Sequence, residues 1–156
     1  MLKYRVLAAI LALSLFPAVL RAEARVHYRT VEVEPQVKVF YREAGEPNAP
    51  AVLLLHGFGG SSFMFRNLLP TLSQKYHVIA PDLPGFGLTQ SPPREQFTYD
   101  FANLARVIDR FTEVVGLRRY ALYVFDYGAP TGYRLALLHP ERITAIISQN
   151  GNAYEE

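Results

Sequence analysis

The sequence predicts an α/β fold in which a mostly parallel sheet is flanked by helices. Three short apolar runs carry this prediction, because each has the length of a buried strand and is followed by a turn containing glycine or proline. The runs cover residues 51–55, 77–80 and 120–125. Helical patterns separate them, and strands that alternate with helices form parallel sheets whose ligands bind at the carboxyl ends of the strands.

The elements before and between these runs follow in order. Residues 26–33 and 36–41 alternate apolar and polar side chains, which predicts an edge hairpin with Pro35 near its turn. Residues 61–75 contain helical material. Because Pro70 is tolerated only in the first turn of a helix, we expect a short turn and then a second short helix there.

A longer helix is predicted after the proline-rich segment 91–93. Thr98 is its expected N-cap, with Asp100 in the first turn, and Gly116 closes it. Its core face comprises apolar residues at spacings of three and four, namely Phe101, Leu104, Ala105, Ile108, Phe111 and Val115. A further helix over 129–139 and a strand over 143–148 complete the pattern.

The junction after the strand 120–125 is the most informative position. There Asp126 ends an apolar run and Gly128 allows a helix to start close by. A strand followed directly by an acid and a helix fits two interpretations. Asp126 is either the nucleophile of a sharp strand-to-helix elbow or an ordinary helix N-cap. A carboxylate nucleophile attacks saturated carbon and forms an ester on the enzyme.

A glycine-rich loop follows the strand 51–55 and reads His-Gly-Phe-Gly-Gly from His56. In a hydrolase elbow, two backbone N–H groups form the oxyanion hole. One belongs to the residue after the nucleophile and one to the loop after the third strand. By position these donors are Tyr127 and Phe58.

A third motif follows the strand 77–80, where Pro-Asp precedes Gly85-Phe-Gly87. With these three motifs in this order, residues 26–154 resemble the α/β-hydrolase fold superfamily. Within it they resemble the branch with an Asp nucleophile, which contains epoxide hydrolases and haloalkane dehalogenases. The elbow of that branch commonly reads Asp-Trp-Gly, and here it reads Asp126-Tyr127-Gly128. The resemblance implies that residues 25–156 form the N-terminal part of such a domain, with the sheet truncated after about its sixth strand.

Two departures from the branch favour the epoxide hydrolase resemblance over the haloalkane dehalogenase one. Dehalogenases typically bind halide with a Trp after the nucleophile and often with an Asn after the His-Gly pair. This chain has no Trp, and Phe58 stands at the Asn position. A phenylalanine side chain donates no hydrogen bond to halide, and Tyr127 could donate one only through its phenol.

The resemblance also implies a late histidine that activates water and an acid that orients it. None of the four histidines matches that histidine in position, and their spacing does not suggest a metal site. They are His27, His56, His77 and His139. His56 resembles the structural histidine of the family. In part of the dehalogenase family the acid follows the sixth strand, where Glu155 is a weak candidate. No cofactor is expected.

The first 24 residues have the pattern of a secretory signal peptide. Lys3 and Arg5 precede an apolar stretch over 6–20, and Ala22-Glu-Ala24 matches a cleavage site. We expect cleavage after Ala24 and export to the periplasm or beyond. A membrane anchor needs about 20 apolar residues, and Pro17 interrupts this shorter run, so no stable membrane insertion is expected after cleavage.

Charge and cysteine content narrow the function classes. Removing residues 1–24 takes away three of sixteen basic and one of fourteen acidic residues, which leaves no net charge. No basic stripe indicates nucleic-acid binding. The absence of cysteine excludes disulfides and a thiol nucleophile from these residues. A small-molecule substrate is the expected partner.

Two hypotheses from different classes follow. In the first, the protein is a hydrolase in which Asp126 attacks an epoxide or alkyl halide carbon. In the second, the 156-residue chain is a truncated product without turnover, at most a binding module. If it ends at Glu156, the strand 143–148 is an uncovered edge, and its isoleucines predict self-association.

Overall fold

A computed structural model describes residues 25–153, and strands form where the apolar and alternating runs predict them. The strands are β1 (His27–Glu34), β2 (Val37–Ala44), β3 (Ala51–Leu55), β4 (His77–Pro81), β5 (Tyr120–Phe125) and β6 (Ile143–Gln149). The helices are α1 (Leu68–Leu72), α2 (Phe101–Val114) and α3 (Gly128–Leu138), with 3-10 turns at Ser62–Phe65 and Pro140–Arg142. The predicted signal segment and Glu155 lie outside the described residues.

The strands form a six-stranded sheet in the order β1-β2-β4-β3-β5-β6. The hairpin β1/β2 is antiparallel and joins β4 in antiparallel fashion, whereas β3 is parallel to both β4 and β5, and β6 is parallel to β5. The predicted α/β fold with a mostly parallel sheet is therefore confirmed. The strands β3, β4, β5 and β6 are parallel to one another, so the loops that follow them lie together at the carboxyl end of the sheet.

The helices cover both faces of the sheet. Alternate residues of β3 therefore pack in two separate hydrophobic cores, one on each face. Leu53 and Leu55 pack in the larger core with residues of α2 and α3. Val52 and Leu54 pack in the smaller core with Leu69 of α1. This strand is buried on both faces, which explains its continuous apolar run.

The segment before β4 forms a 3-10 turn and then α1, as predicted, and Pro70 is the third residue of α1. The start of α2 differs from the prediction. Its N-cap is Asp100, not Thr98, because the Asp100 carboxylate accepts a hydrogen bond from the Asn103 N–H at 2.7 Å. The Thr98 carbonyl instead accepts a hydrogen bond from the Asn103 side-chain amide at 2.8 Å.

Strand β6 lies at the sheet edge beside β5, and its apolar side chains are open to solvent. Ile146 is 46% exposed and Ile147 is 51% exposed. The exposure expected from the sequence is present, whereas self-association stays a prediction. Over residues 25–153, no helix combines the length and apolar character needed to cross a bilayer.

Candidate active site at the β5 to α3 elbow

Asp126 occupies a sharp elbow between β5 and α3. It follows Phe125, the last residue of β5, and has a φ of 50°, in the left-handed region. Such a conformation costs a non-glycine residue about 1 to 2 kcal/mol, although Asp tolerates it better than most residues. The strained backbone holds the Asp126 side chain at the carboxyl end of the parallel strands.

The elbow is tight because two glycines of α3 rest directly on the sheet. A Cβ atom at Gly128 would lie 2.4 Å from the backbone oxygen of Leu55, and one at Gly132 would lie 2.5 Å from Cγ1 of Val124. Neither position has room for a larger residue without movement. Glycine at these positions therefore sets how closely α3 approaches β3 and β5.

The Asp126 carboxylate is held by the loop after β3. Its Oδ1 accepts a hydrogen bond from the Phe58 N–H at 2.7 Å. Gly57 allows this approach, since a Cβ there would lie 2.7 Å from the Asp126 Cβ. The N-cap of α3 is Tyr127 and has no side-chain capping bond, so the structure does not support Asp126 as a helix cap.

His56 connects this loop to the loop after β4. The side chain is fully buried, its Nε2 accepts a hydrogen bond from the Leu83 N–H at 2.9 Å, and its Nδ1 lies 2.8 Å from the Gly57 oxygen. With Nε2 an acceptor, Nδ1 carries the proton and donates to Gly57. Burial lowers the pKa of His56. This neutral imidazole is structural, as the resemblance implied.

Asp82 is a second buried support, which the sequence analysis treated only as part of a motif. Its two carboxylate oxygens accept hydrogen bonds from the Ser62 N–H at 2.6 Å and the Leu88 N–H at 2.8 Å. Its backbone oxygen accepts one from the Thr89 hydroxyl at 2.7 Å. Asp82 therefore fixes the loops after β3 and β4 together. An acid at the end of a buried apolar strand, one residue before a Pro-Gly pair, is the signal that could have identified it.

Aromatic side chains surround the elbow. The Phe58 ring lies 5.0 Å from the Tyr127 ring and 5.7 Å from the Phe86 ring, and Phe101 lies 4.9 Å from Tyr127. Phe58 is 69% exposed despite these contacts. These four rings give the Asp126 carboxylate an apolar setting, which suits a ligand with an apolar body.

A cavity of about 280 Å³ opens beside the Asp126 side chain. Its walls combine apolar groups with two side-chain amides and the Tyr127 phenol. The lining residues are Phe101, Asp126, Tyr127, Pro130, Asn150, Asn152 and Ala153. The structure thus brings the three predicted residues together: Asp126 lies in the cavity wall with Tyr127, and Phe58 contacts both.

The other three histidines lie away from Asp126. His27 is exposed in β1, His77 lies 2.8 Å from the Glu43 carboxylate, and His139 lies 3.2 Å from the Asp109 carboxylate. None of these polar contacts involves Asp126. Within residues 25–153, no three His, Asp or Glu side chains are grouped to hold a metal ion.

Comparison with known proteins gives a consistent family. A sequence profile described as "alpha/beta hydrolase fold" matches residues 50–156. An uncharacterized hydrolase of Saccharomyces cerevisiae is 52% identical over 129 residues, which cover 83% of this chain and 44% of the yeast protein. A haloalkane dehalogenase of Bradyrhizobium diazoefficiens is 39% identical over 106 residues, which cover 68% of this chain and 33% of the dehalogenase.

A solved structure supports the same fold. The epoxide hydrolase VrEH1 from Vigna radiata superimposes with a TM-score of 0.72 and 35% identity, over 79% of this chain and 39% of that chain. The chain spans less than half the length of each of these three proteins. Dehalogenases and epoxide hydrolases thus both resemble it at moderate identity.

Proposed function

The chain belongs to the α/β-hydrolase family, and from that premise we propose that Asp126 is the nucleophile of a hydrolase that acts on an epoxide carbon. The observation that carries this proposal is the hydrogen bond of 2.7 Å from the Phe58 N–H to Asp126 Oδ1, made at a left-handed elbow residue. It holds one carboxylate oxygen and leaves Oδ2 available to attack.

The proposed reaction has two steps. First, Oδ2 of Asp126 forms a bond to the epoxide carbon, the C–O bond of the ring breaks, and an ester remains on the protein. Second, water attacks the ester carbonyl carbon. The carbonyl oxygen in that step is Oδ1, which gains negative charge where the Phe58 N–H already donates to it.

The start of α3 supports the same step. Tyr127 is the N-cap of α3, so its N–H lies where the helix has unpaired donors and a partial positive charge. A donor at this end stabilises an oxyanion formed on the preceding residue. The Phe58 and Tyr127 N–H groups therefore form the proposed oxyanion hole.

A second candidate is a haloalkane dehalogenase. The 39% identity with the Bradyrhizobium diazoefficiens enzyme favours it. Phe58 and Tyr127 argue against it, because they stand where the resemblance implies halide-binding Asn and Trp side chains. Incubation with an epoxide and with an alkyl halide distinguishes the two, since the products are a diol or a free halide ion.

The nucleophile is tested by mass spectrometry of the protein after incubation with an epoxide. We expect an ester at Asp126 that the Asp126→Asn variant does not form, because a neutral amide is a poor nucleophile. Asp100→Asn is the matched control, since Asn also caps helices well and Asp100 lies outside the elbow. If the Asp126→Asn variant retained multiple turnover, the assignment of Asp126 as the nucleophile would be wrong.

The same experiment addresses the hypothesis of an incomplete enzyme. Without a base to activate water, the ester would form once and persist, because its formation and hydrolysis are separate steps. One equivalent of stable ester supports that hypothesis. Repeated product formation supports a complete catalytic set.

We also propose that the protein is exported. Residues 1–24 carry the pattern of a signal peptide, with Lys3 and Arg5 before the apolar run. N-terminal sequencing of the native protein should then begin at Arg25. A native protein that retains Met1 or Leu2 would contradict this.

A further inference from the structure

The turn after β6 contains the one Asn-Gly pair of the sequence, Asn150-Gly151. Asn150 is exposed and lies one residue beyond the end of β6. Asparagine is a thermolabile residue, because the backbone nitrogen of the next residue can attack its side-chain amide carbon. A following glycine hinders that attack least, since it has no Cβ atom. The pair therefore combines a reactive sequence with a solvent-exposed position.

The reacting groups of this pair are not held by hydrogen bonds. Over residues 25–153, the Gly151 N–H donates to no acceptor, and the side-chain amide of Asn150 has no hydrogen-bond partner. Attack requires the Gly151 nitrogen to give up its proton and to turn toward the side chain. A hydrogen bond from that N–H would oppose both changes, because it would have to break first. The turn after β6 has no such bond.

Two other asparagines of the chain lack this combination. Asn48 is also exposed in a turn, but it is followed by Ala49, whose N–H donates to the Glu46 oxygen at 3.0 Å. Asn103 lies in α2, and its side-chain amide donates to the Thr98 oxygen at 2.8 Å. Asn48 is therefore a control within the same chain that matches Asn150 in exposure but not in the next residue or its N–H.

We propose that Asn150 is a site of spontaneous deamidation in the folded protein. Hydroxide removes the Gly151 amide proton, the nitrogen bonds to Cγ of Asn150, and the bond from Cγ to the side-chain nitrogen breaks. The leaving nitrogen takes a proton from water and departs as ammonia, which leaves a cyclic imide. Water then opens the imide. Opening at Cγ gives aspartate, and opening at the backbone carbonyl gives isoaspartate.

The modification would change the wall of the candidate site. Asn150 and Asp126 both line the cavity of about 280 Å³, and they are the residues that follow the last pair of the β5/β6 ladder. Either product adds a negative charge to this wall. Isoaspartate also lengthens the backbone by one carbon just before Gly151, which rests on α3, since a Cβ at Gly151 would lie 2.6 Å from the Ala129 Cβ. The inference does not depend on whether Asp126 is a nucleophile.

Peptide mapping by mass spectrometry tests the proposal on the whole native protein, incubated in mildly alkaline buffer. We expect the peptide with Asn150 to gain the mass difference between an amide and an acid and to separate into aspartate and isoaspartate forms. The peptide with Asn48 should stay unchanged. A parallel sample unfolded in urea gives the rate without tertiary structure, and the folded protein should convert Asn150 at a similar rate.

The Ala49→Gly variant separates structure from sequence, because it makes a second exposed Asn-Gly pair whose N–H still donates to Glu46. We expect Asn48 in this variant to convert more slowly than Asn150. Equal rates would overturn the argument that the unbonded N–H selects Asn150. If Asn150 stays intact in the folded protein but converts in urea, the fold protects the pair and the proposal is overturned.

Discussion

Replacing Gly128 with alanine would push the start of α3 away from β3. The added Cβ would lie 2.4 Å from the Leu55 oxygen and 2.7 Å from the Leu55 carbonyl carbon. Both are backbone atoms of a strand buried at the centre of the sheet, so they cannot move away by a rotamer change as side-chain atoms could. The helix must therefore withdraw by about 1 Å before the contact becomes an ordinary one.

The magnitude follows from two opposing effects. Overpacking a well-packed site costs about 1 to 3 kcal/mol, whereas replacing a helical glycine by alanine gains at most about 1 kcal/mol. We therefore expect Gly128→Ala to lower the free energy of unfolding by about 1 to 2 kcal/mol. Because Asp126 lies two residues earlier, a shift of this size should also slow ester formation by about 100-fold.

Urea unfolding measures the stability, and rapid quench measures ester formation. Gly116→Ala is the matched control, since Gly116 has a φ of 77° and a Cβ there would meet no atom within 4 Å. It should lose about 1 to 2 kcal/mol through backbone strain with no loss of ester formation. If Gly128→Ala keeps both the stability and the rate of the unsubstituted protein, the close packing of α3 on β3 does not set the elbow.

Two further predictions concern pH and association. Because burial lowers the pKa of His56 from its ordinary 6.5, the unfolded chain takes up a proton that the folded chain resists. The free energy of unfolding is therefore highest above pH 6.5, the ordinary pKa of histidine. It falls as the pH drops from there through the lower pKa that His56 has in the folded protein. Urea unfolding between pH 7 and about pH 5, with NMR titration of the imidazole, checks this, and a His56 that titrates at or above 6.5 would contradict it. If nothing covers β6, Ile147→Lys should reduce self-association in sedimentation experiments with little change in stability, because Ile147 is 51% exposed. A chain that is already monomeric at high concentration would rule this out.

Local patterns were enough to predict most elements of this fold. The apolar run of β3 and the spacing of apolar residues in α2 are properties of a few neighbouring residues, and both elements formed as predicted. The predicted N-cap of α2, Thr98, was wrong by two residues. Thr98 and Asp100 are both favourable caps by residue type, and only the backbone geometry selects Asp100.

The sequence alone also identified Asp126, Phe58 and Tyr127 as candidate site residues, because each follows a recognisable strand or turn. It did not reveal the support that Asp82 gives to the site. The bonds of Asp82 to Ser62 and Leu88 join segments that no local pattern links.

What the sequence by itself determined is the family, the order of elements and the residue at the elbow, since these depend on local composition and motif order. What only the tertiary structure decided is which residues share the site. Asn150 follows an ordinary edge strand, and only the pairing of β5 with β6 places it next to Asp126. The physical reason is that strand pairing and close helix packing are contacts between segments distant in the chain, whereas sequence patterns describe each segment by itself.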